Sequence, residues 1–255
     1  MGYPSDLLSS RAVVKPGMYA IIPPEGRVFN VIPGIEGCRM TILCTPKMGA
    51  GFVQHIGTAL PGGGTTMPYG ASELIETFLY VLDGEGSLTV TVGDRTEVMP
   101  QGGYAYAPAG VGISFRNETD KPLRFLLYKQ RYIPHPDPEM RPYAVFGNTN
   151  DIEERIYDNM FVRDLLPVDE RFDMNMHILS FAPGGCHPFV ETHVQEHGAY
   201  LYEGEGVYLL NDDWIPVKAE DFIWMGAYCK QCCYGVGRTR LSYIYSKDCH
   251  RDADI

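Results

Sequence analysis

The feature that most constrains the fold of this chain is an internal duplication. Residues 61–92 read PGGGTTMPYGASELIETFLYVLDGEGSLTVTV, and residues 183–210 read PGGCHPFVETHVQEHGAYLYEGEGVYLL. Both copies run from a proline-glycine turn through a polar stretch into an alternating apolar segment that ends at a Gly-Glu-Gly turn. That turn lies at 84–86 in the first copy and at 204–206 in the second, an offset of 120 residues. A repeat of this length predicts two successive units with the same architecture.

The correspondence continues beyond the two copies. The turn at 108–110 matches the turn at 226–228 with an offset of 118, so the hairpin between has lost two residues. Hairpin tips tolerate such deletions well. The repeat closes with FLLYKQ in the first half and YIYSKD in the second, so Lys129 and Lys247 correspond.

Each unit shows the pattern of short β-strands. Alternation such as LTVTV, from Leu88 to Val92, places successive side chains on opposite faces of a strand. The 28 glycines and 19 prolines are spread along the chain, which indicates many tight turns between short elements. The sequence therefore predicts an all-β protein of two tandem jelly-roll β-barrels.

The predicted boundaries follow from the repeat and from a proline-rich, then charged, segment between the copies. We expect an N-terminal arm and the first barrel over residues 1–135, a linker over 136–160 and the second barrel over 161–255. The stretches DIEERIYDN and FVRDLLP show weak helical character. They predict one or two short helical turns near the linker.

Charge and composition narrow the classes of partner. The chain carries 32 acidic and 21 basic residues, a formal net charge of −11, so phosphate backbones and anionic membrane surfaces would repel it. No apolar run approaches the roughly 20 residues that span a bilayer, and the N-terminal segment lacks the blocks of a signal peptide. Seven cysteines without framework spacing predict reduced thiols. We therefore expect a soluble, cytoplasmic protein that binds neither nucleic acid nor membranes.

A cluster of potential ligands is confined to the second half. His187, His193 and His197 lie within eleven residues of one another. In a strand, Glu191 and His193 project from the same face, and His197 rejoins that face after a small bend. A lone histidine is more often an ordinary core or surface residue, but Glu-x-His-x-x-x-His predicts convergence on one point inside a barrel.

This spacing resembles the first motif of the cupin family of β-barrels, Gly, five residues, His-x-His, three or four residues, Glu, six residues, Gly, whose His and Glu bind a metal. Residues 185–204 follow it, with Glu191 and His197 exchanged at the outer ligand positions. The second cupin motif places a further ligand at Gln231. The resemblance implies a bicupin in which the second barrel binds a metal.

The first copy lacks this set of residues. Its matching positions hold Ala71, Glu73, Thr77 and Ile113. One carboxylate cannot hold a metal against water. The first barrel is therefore expected to be metal-free, with its interior filled by Ile113.

A glutamate, two histidines and a glutamine form a mixed nitrogen and oxygen set without thiolate. Such a set favours Mn²⁺ or Fe²⁺ in a roughly octahedral sphere with two positions left open. Zinc prefers fewer ligands or sulfur, and Cys229, Cys232 and Cys233 around Gln231 keep it as an alternative. No second cysteine pair has matching spacing, so these cysteines are expected to be buried filler.

A narrower resemblance covers nearly the whole chain. ETHVQEHGAYLYEGEGVY, DWIPVKAEDFIWMGAY, YIYSKDCHRD and FDMNMHILSFAPG in the second half, with IETFLYVL in the first, resemble the (S)-ureidoglycine aminohydrolase family of bicupins. The resemblance implies Mn²⁺-dependent hydrolytic deamination of (S)-ureidoglycine to (S)-ureidoglycolate and ammonia in purine breakdown. It implies one Mn²⁺ per chain, with Fe²⁺ or Zn²⁺ as substitutes, and a homo-oligomer between a dimer and an octamer.

The resemblance also implies roles for individual residues. The metal ligands are Glu191, His193, His197 and Gln231. Besides Glu191 and Gln231, the residues that contact substrate are Tyr208, Tyr243 and Lys247. Glu191, as a ligand with one oxygen free to accept a proton, and Lys247, as an anchor for the substrate, are the expected catalytic residues.

Two other classes of protein stay open at this point. An Fe²⁺ cupin dioxygenase typically has three histidines and one glutamate, and here Gln231 replaces one imidazole. A cupin that only binds a small ligand would show binding without turnover. Around Gln231 the chain also departs from the family pattern in its cysteines, and Glu220 replaces the usual glycine of the second motif.

Overall fold

β-strands make up nearly all the regular structure of the computed structural model, which describes residues 9–248. Among those residues, the only helical segments are two 3-10 turns, Pro24–Gly26 and Thr149–Asp151. The all-β class predicted from the sequence is confirmed. The described part of the chain contains no helix that is both long and apolar enough to cross a membrane.

The N-terminal arm forms two short strands, β1 (Val13–Lys15) and β2 (Tyr19–Ile22), that pair with each other. Strand β2 also pairs antiparallel with Phe222–Met225, near the other end of the chain. The arm therefore belongs to the sheet of the second barrel although it precedes the first. The boundaries at 135 and 160 stay predictions.

The first barrel is a nine-stranded sheet in the order β11-β8-β5-β10-β4-β9-β6-β7, with β3 paired to β4. Its strands are β3 (Ile35–Cys44), β4 (Phe52–Thr65), β5 (Ile75–Gly84), β6 (Leu88–Val92), β7 (Arg95–Met99), β8 (Gly103–Ala107), β9 (Ser114–Arg116), β10 (Leu123–Arg131) and β11 (Val145–Asn148).

The second barrel combines an eight-stranded sheet, β1-β2-β18-β15-β20-β14-β13-β12, with a three-stranded sheet, β17-β16-β19. Its strands after the arm are β12 (Arg155–Tyr157), β13 (Met160–Asp164), β14 (Met174–Phe181), β15 (His197–Glu203), β16 (Glu205–Leu210), β17 (Asp213–Lys218), β18 (Phe222–Met225), β19 (Gln231–Gly235) and β20 (Leu241–Asp248).

The duplication in the sequence reappears in the strand register. Thr77 pairs with Ala107 between β5 and β8, and His197 pairs with Met225 between β15 and β18. The two pairs are related by the offsets of 120 and 118 found in the sequence. The two barrels therefore share one topology around these strands.

The helical expectation for FVRDLLP is wrong. Its first four residues belong to β13, which pairs antiparallel with β14 from Met160 opposite Phe181 to Asp164 opposite His177. Strand pairing satisfies the backbone groups of this segment more completely than one isolated helical turn would. In DIEERIYDN, Asp151 ends the 3-10 turn, Arg155–Tyr157 form β12, and Asp158 and Asn159 form a turn.

Three clusters of buried side chains hold the fold together: one in each barrel and one between the barrels. The alternation within β5 separates two of them, because Leu79 faces the first interior whereas Phe78 and Tyr80 face the second barrel. Ile113, at the position that matches a ligand, is fully buried in the first interior. The two barrels thus pack through a shared apolar face, and the first interior is filled at this point as expected.

Candidate functional site

All the residues singled out from the sequence line one cavity of about 140 Å³ in the second barrel. They are Glu191, His193, His197, Tyr208, Gln231, Tyr243 and Lys247. The structure therefore brings the predicted ligands and the predicted substrate contacts to one place. Their chemical roles stay predictions.

Two strand ends and one irregular segment position the predicted ligands. His197 is the first residue of β15 and Gln231 the first of β19. Glu191 forms an isolated bridge with Gln231, in which each backbone N–H donates to the other residue's carbonyl at 2.9 Å. Between this bridge and β15 the chain bends at Val194, and the His193 carbonyl accepts from the Tyr228 N–H at 2.7 Å.

The four donor side chains meet around His193. Its Nε2 lies 3.9 Å from Glu191 Oε2, 3.4 Å from His197 Nε2 and 2.8 Å from Gln231 Nε2. Neighbouring ligands of a six-coordinate divalent ion are separated by about 3 Å, given bond lengths near 2.1 Å. Among the described residues, no group of three His, Cys, Asp or Glu side chains is close enough to hold a metal ion as it stands, and the role of Gln231 as a fourth donor stays a prediction.

Hydrogen bonds to backbone carbonyls fix the tautomers of the two imidazoles. Nδ1 of His193 bonds the Gln195 carbonyl and Nδ1 of His197 bonds the Ser246 carbonyl, both at 2.9 Å. A carbonyl only accepts, so both Nδ1 atoms carry the proton and both Nε2 atoms present lone pairs. Burial lowers the pKa of His197 to about 3, with a smaller effect of neighbouring positive groups, so this ring is neutral at pH 7.

This arrangement fits a divalent cation. Two facing imidazole lone pairs 3.4 Å apart repel each other, and a cation between them converts the repulsion into two bonds. A half-turn of the Gln231 amide exchanges its nitrogen for its oxygen, which is the atom a cation binds. The donor set then consists of two imidazole nitrogens, one carboxylate and one amide oxygen. Such a mixed set suits Mn²⁺ or Fe²⁺ better than an ion that prefers thiolate ligands.

The lining of the cavity also includes two hydroxyl groups and a positive charge. Tyr208 and Tyr243 are nearly fully buried, and their hydroxyls hydrogen-bond each other at 3.1 Å. Burial raises the pKa of both phenols well above 10, so they stay protonated donors. Lys247 also lines the cavity, where its ammonium can meet an anionic substrate.

His187 lines the same cavity and was given no role from the sequence. It is 6% exposed, and its Nδ1 accepts a hydrogen bond from the Cys233 N–H at 2.9 Å. The only signal in the sequence was its closeness to the other two histidines. Its pairing with a distant strand could not be inferred from that spacing.

The first barrel supports the site through Glu196, the neighbour of His197. One carboxylate oxygen of Glu196 accepts from the Gly51 N–H at 2.5 Å, just before β4. The other accepts from Trp224 Nε1 at 2.9 Å. The segment that carries the histidines is thus tied to both barrels at once.

The cysteines near Gln231 are buried, as expected. Cys229, Cys232 and Cys233 are at most 2% exposed, and none forms a disulfide. Burial raises the pKa of the Cys233 thiol well above its ordinary value.

The chain forms two tandem barrels, and one of them holds two imidazoles, a carboxylate and an amide around one point. This combination is typical of a cupin. A family model described as a cupin domain matches residues 58–128. The chain is 49% identical to (S)-ureidoglycine aminohydrolase of Escherichia coli (strain K12), over all of this chain and 97% of that one. It is 30% identical to the probable (S)-ureidoglycine aminohydrolase of Oryza sativa subsp. japonica, over 92% of this chain and 74% of that one.

A solved structure has the same fold. The crystal structure of protein Ylba from E. coli superimposes with a TM-score of 0.88 at 48% identity and covers both chains completely. This chain belongs to the (S)-ureidoglycine aminohydrolase family.

Proposed function

We propose that this protein catalyses the Mn²⁺-dependent hydrolytic deamination of (S)-ureidoglycine to (S)-ureidoglycolate and ammonia. The observation that carries the proposal is the convergence of Glu191, His193, His197 and Gln231 in the cavity that Lys247 also lines. In the reaction, the bond from the central carbon to the amine nitrogen breaks and the oxygen of water bonds to that carbon. One proton of the water leaves with the nitrogen, so atoms and charge balance.

The four donor residues would hold the divalent ion. When bound, such an ion supplies Lewis-acid polarisation and a template for the carboxylate of the substrate. The protein's own groups do the rest. Lys247 binds an anionic oxygen of the substrate. Of the paired hydroxyls of Tyr208 and Tyr243, the one that does not donate to its neighbour donates to the substrate. Orientation of this kind fixes which face of the central carbon is open to water.

Glu191 is the residue proposed to accept the proton from water. Its side chain is one-third exposed in the cavity, and a carboxylate that uses one oxygen as a ligand keeps the other free. Lys247 is proposed as an anchor and not as a nucleophile. The substrate has no ketone or aldehyde with which a lysine could form a Schiff base.

Ammonia release from freshly generated (S)-ureidoglycine tests the proposal. Metal-free protein should release ammonia at the spontaneous rate, and addition of Mn²⁺ should raise the rate and produce the S enantiomer of ureidoglycolate. No release above the spontaneous rate with Mn²⁺ present would refute it. Consumption of O₂ would indicate a dioxygenase, and binding without turnover would indicate a ligand-binding cupin. The homo-oligomer and the cytoplasmic location stay predictions of the sequence.

A further inference from the structure

His187 forms two hydrogen bonds with the backbone of one residue, Cys233. Its backbone N–H donates to the Cys233 carbonyl at 3.1 Å, and its Nδ1 accepts from the Cys233 N–H at 2.9 Å. The Phe181 ring packs edge-on against the imidazole at a centroid distance of 4.9 Å. These contacts leave the ring one orientation in the cavity wall.

The bond to Cys233 also decides where the imidazole carries its proton. A backbone N–H can only donate, so Nδ1 must be unprotonated, and the ring must be neutral with its proton on Nε2. Burial acts in the same direction, since it lowers the pKa of His187 to about 4. His187 is therefore a fixed, uncharged N–H donor.

This donor has no partner in the part of the chain that the structure describes. Nδ1 faces β19, so the Nε2 edge of the ring is the one available to the cavity that His187 lines. Among the described residues, the hydrogen bond found for the His187 side chain is the one at Nδ1. Nε2–H is therefore a donor that can meet an acceptor on a molecule bound in the cavity.

We propose that His187 is a further substrate-binding residue, and that its Nε2–H binds the carbonyl oxygen of a ureido group. The inference rests on the proposed function and deepens it, because it makes ureido acids the class that the site selects. Lys247 and His187 suit different parts of the substrate. The ammonium of Lys247 suits the carboxylate, and the uncharged donor of His187 suits a neutral carbonyl oxygen.

The same donor would exclude guanidino acids. A guanidino group has the shape of a ureido group but carries an N–H donor in place of the carbonyl oxygen. Two donors would then face each other in an enclosed site, which is a strong basis for rejection. N-carbamoylglycine and guanidinoacetate form a matched pair of ligands for this comparison. Neither has the amine that is released in the proposed reaction, so their binding is measured without turnover.

Isothermal titration of the Mn²⁺-loaded protein with each ligand tests the inference. The wild-type protein should bind N-carbamoylglycine more tightly than guanidinoacetate. His187→Asn keeps an oxygen near the position of Nδ1 to accept from Cys233 and removes the donor at Nε2. It should weaken N-carbamoylglycine binding about tenfold, the factor expected for one hydrogen bond, and leave guanidinoacetate unchanged or tighter. His187→Gln extends an amide to the position of Nε2 and should recover part of the loss.

His55→Asn is the matched control. His55 is buried to a similar extent, at 3% exposed, and its Nδ1 also has a hydrogen bond, with the Tyr69 hydroxyl at 3.3 Å. It lies in the first barrel, so this variant should bind both ligands like the wild type. A merely structural role for His187 predicts equal losses for both ligands, or no loss in the asparagine variant.

Either of those outcomes would overturn the inference, as would wild-type protein that prefers guanidinoacetate or binds neither ligand. If the asparagine variant does not fold, the glutamine variant and the wild-type preference between the two ligands decide. The proposed function fails separately: protein that selects N-carbamoylglycine through His187 yet releases no ammonia from (S)-ureidoglycine keeps the inference and loses the activity.

Discussion

Two lysines occupy matching positions in the two barrels, but their side chains have different neighbours. Lys247 lines the cavity of the second barrel beside the predicted ligands. Lys129 lies over the ring of Tyr69 at 4.8 Å in the first barrel. Burial, followed by the charge of Lys129, lowers the pKa of the nearby His55 to about 4. One ammonium is thus available to a ligand, and the other is held by an aromatic face of its own barrel.

This contrast gives a paired kinetic prediction. Lys247→Met should lower kcat/KM for (S)-ureidoglycine about 10- to 100-fold, since a hydrogen bond to a charged group contributes roughly 1.5–3 kcal/mol. Both a higher KM and a lower kcat are expected, because an anchor orients the substrate as well as binding it. Metal content should not change. Lys129→Met should leave all three quantities at their wild-type values, and a covalent adduct trapped on Lys247 by borohydride would contradict its role as an anchor.

The metal prediction concerns His193 and His197. Elemental analysis of the purified protein should give one divalent ion per chain. The double variant His193→Ala, His197→Ala should lose it, because only a carboxylate and an amide would remain. Two ions per chain, or an ion that persists in the double variant, would show that a site exists elsewhere.

Individual site residues could be predicted from the sequence only where they belong to a motif of known spacing. Glu191, His193, His197 and Gln231 could be found because their separations along the chain match a known pattern. His187 could not, because its partner is the backbone of Cys233 in another strand. Contacts of this kind depend on which strands meet, and a single sequence carries little information on that.

In the turn between β17 and β18, Glu220 occupies the position where the family motif has glycine. Glu220 has a φ of 78°, a left-handed conformation that glycine adopts at less cost. Its carboxylate binds both Arg124 of the first barrel, at 2.5 and 2.9 Å, and the Tyr200 hydroxyl, at 2.7 Å. Burial acts to raise the pKa of Glu220, but these hydrogen bonds lower it overall. The residue that departs from the family motif therefore links the two barrels.

Glu220→Gly should lower the melting temperature. The substitution relieves a backbone cost of about 1 kcal/mol but removes three hydrogen bonds that involve charged, half-buried groups, worth roughly 2 kcal/mol after allowance for solvent. The net loss corresponds to about 2–4 °C by calorimetry. Asp158→Gly, at an exposed position with a φ of 55° and no link between the barrels, should leave the melting temperature at or above that of the wild type. A higher melting temperature for Glu220→Gly would mean that backbone strain outweighs the ion pair.

At the level of strands, the repeat was more informative than local propensity. The offsets of 120 and 118 identified residues that occupy equivalent pairs in the two sheets. Propensity alone assigned helical character to FVRDLLP, where β13 pairs with β14. Neighbouring strands outweigh weak local preference, so a pattern shared by two segments is the better guide.

The contact between the barrels contains a pair of buried carboxyl groups. Glu76 is fully buried and accepts hydrogen bonds from the Tyr106 hydroxyl at 2.5 Å and from Gln130 Nε2 at 2.7 Å. Burial, and then the neighbouring Asp173, raise the pKa of Glu76 well above 4.5. The folded protein thus prefers the protonated form of Glu76.

The sign of the resulting pH dependence follows from this preference. A carboxyl group with a raised pKa contributes stability that is fully present below its unfolded pKa of about 4.5 and is lost as the pH rises through the folded value. Glu76→Gln, which is neutral at every pH, should therefore flatten the fall in melting temperature between pH 5 and 8. The exposed Glu118→Gln should leave the pH profile unchanged. An equally steep fall in both variants would assign the pH dependence to other groups.

The whole molecule has one feature that the sequence did not reveal, the pairing of β2 with β18. Repeat analysis assigns each strand to the unit in which it occurs along the chain. A four-residue strand such as Tyr19–Ile22 carries no mark of the sheet it joins. The fold class and the position of the site were predictable because they depend on repeated motifs. The pairing of β2 with β18 depends instead on how the completed barrels pack.

That pairing sets an order of events during synthesis. Strand β2 emerges from the ribosome about 200 residues before β18, its partner. At ~5–20 residues per second, roughly 10–40 s pass in which the second barrel cannot close around its sheet. Met225 of β18 pairs with Tyr19 of β2 on one side and with His197 of β15 on the other. The sheet next to this predicted ligand is therefore complete only when the N-terminal arm has joined the second barrel. Nascent chains should therefore acquire the metal only after β18 has been synthesised, however early the first barrel has folded.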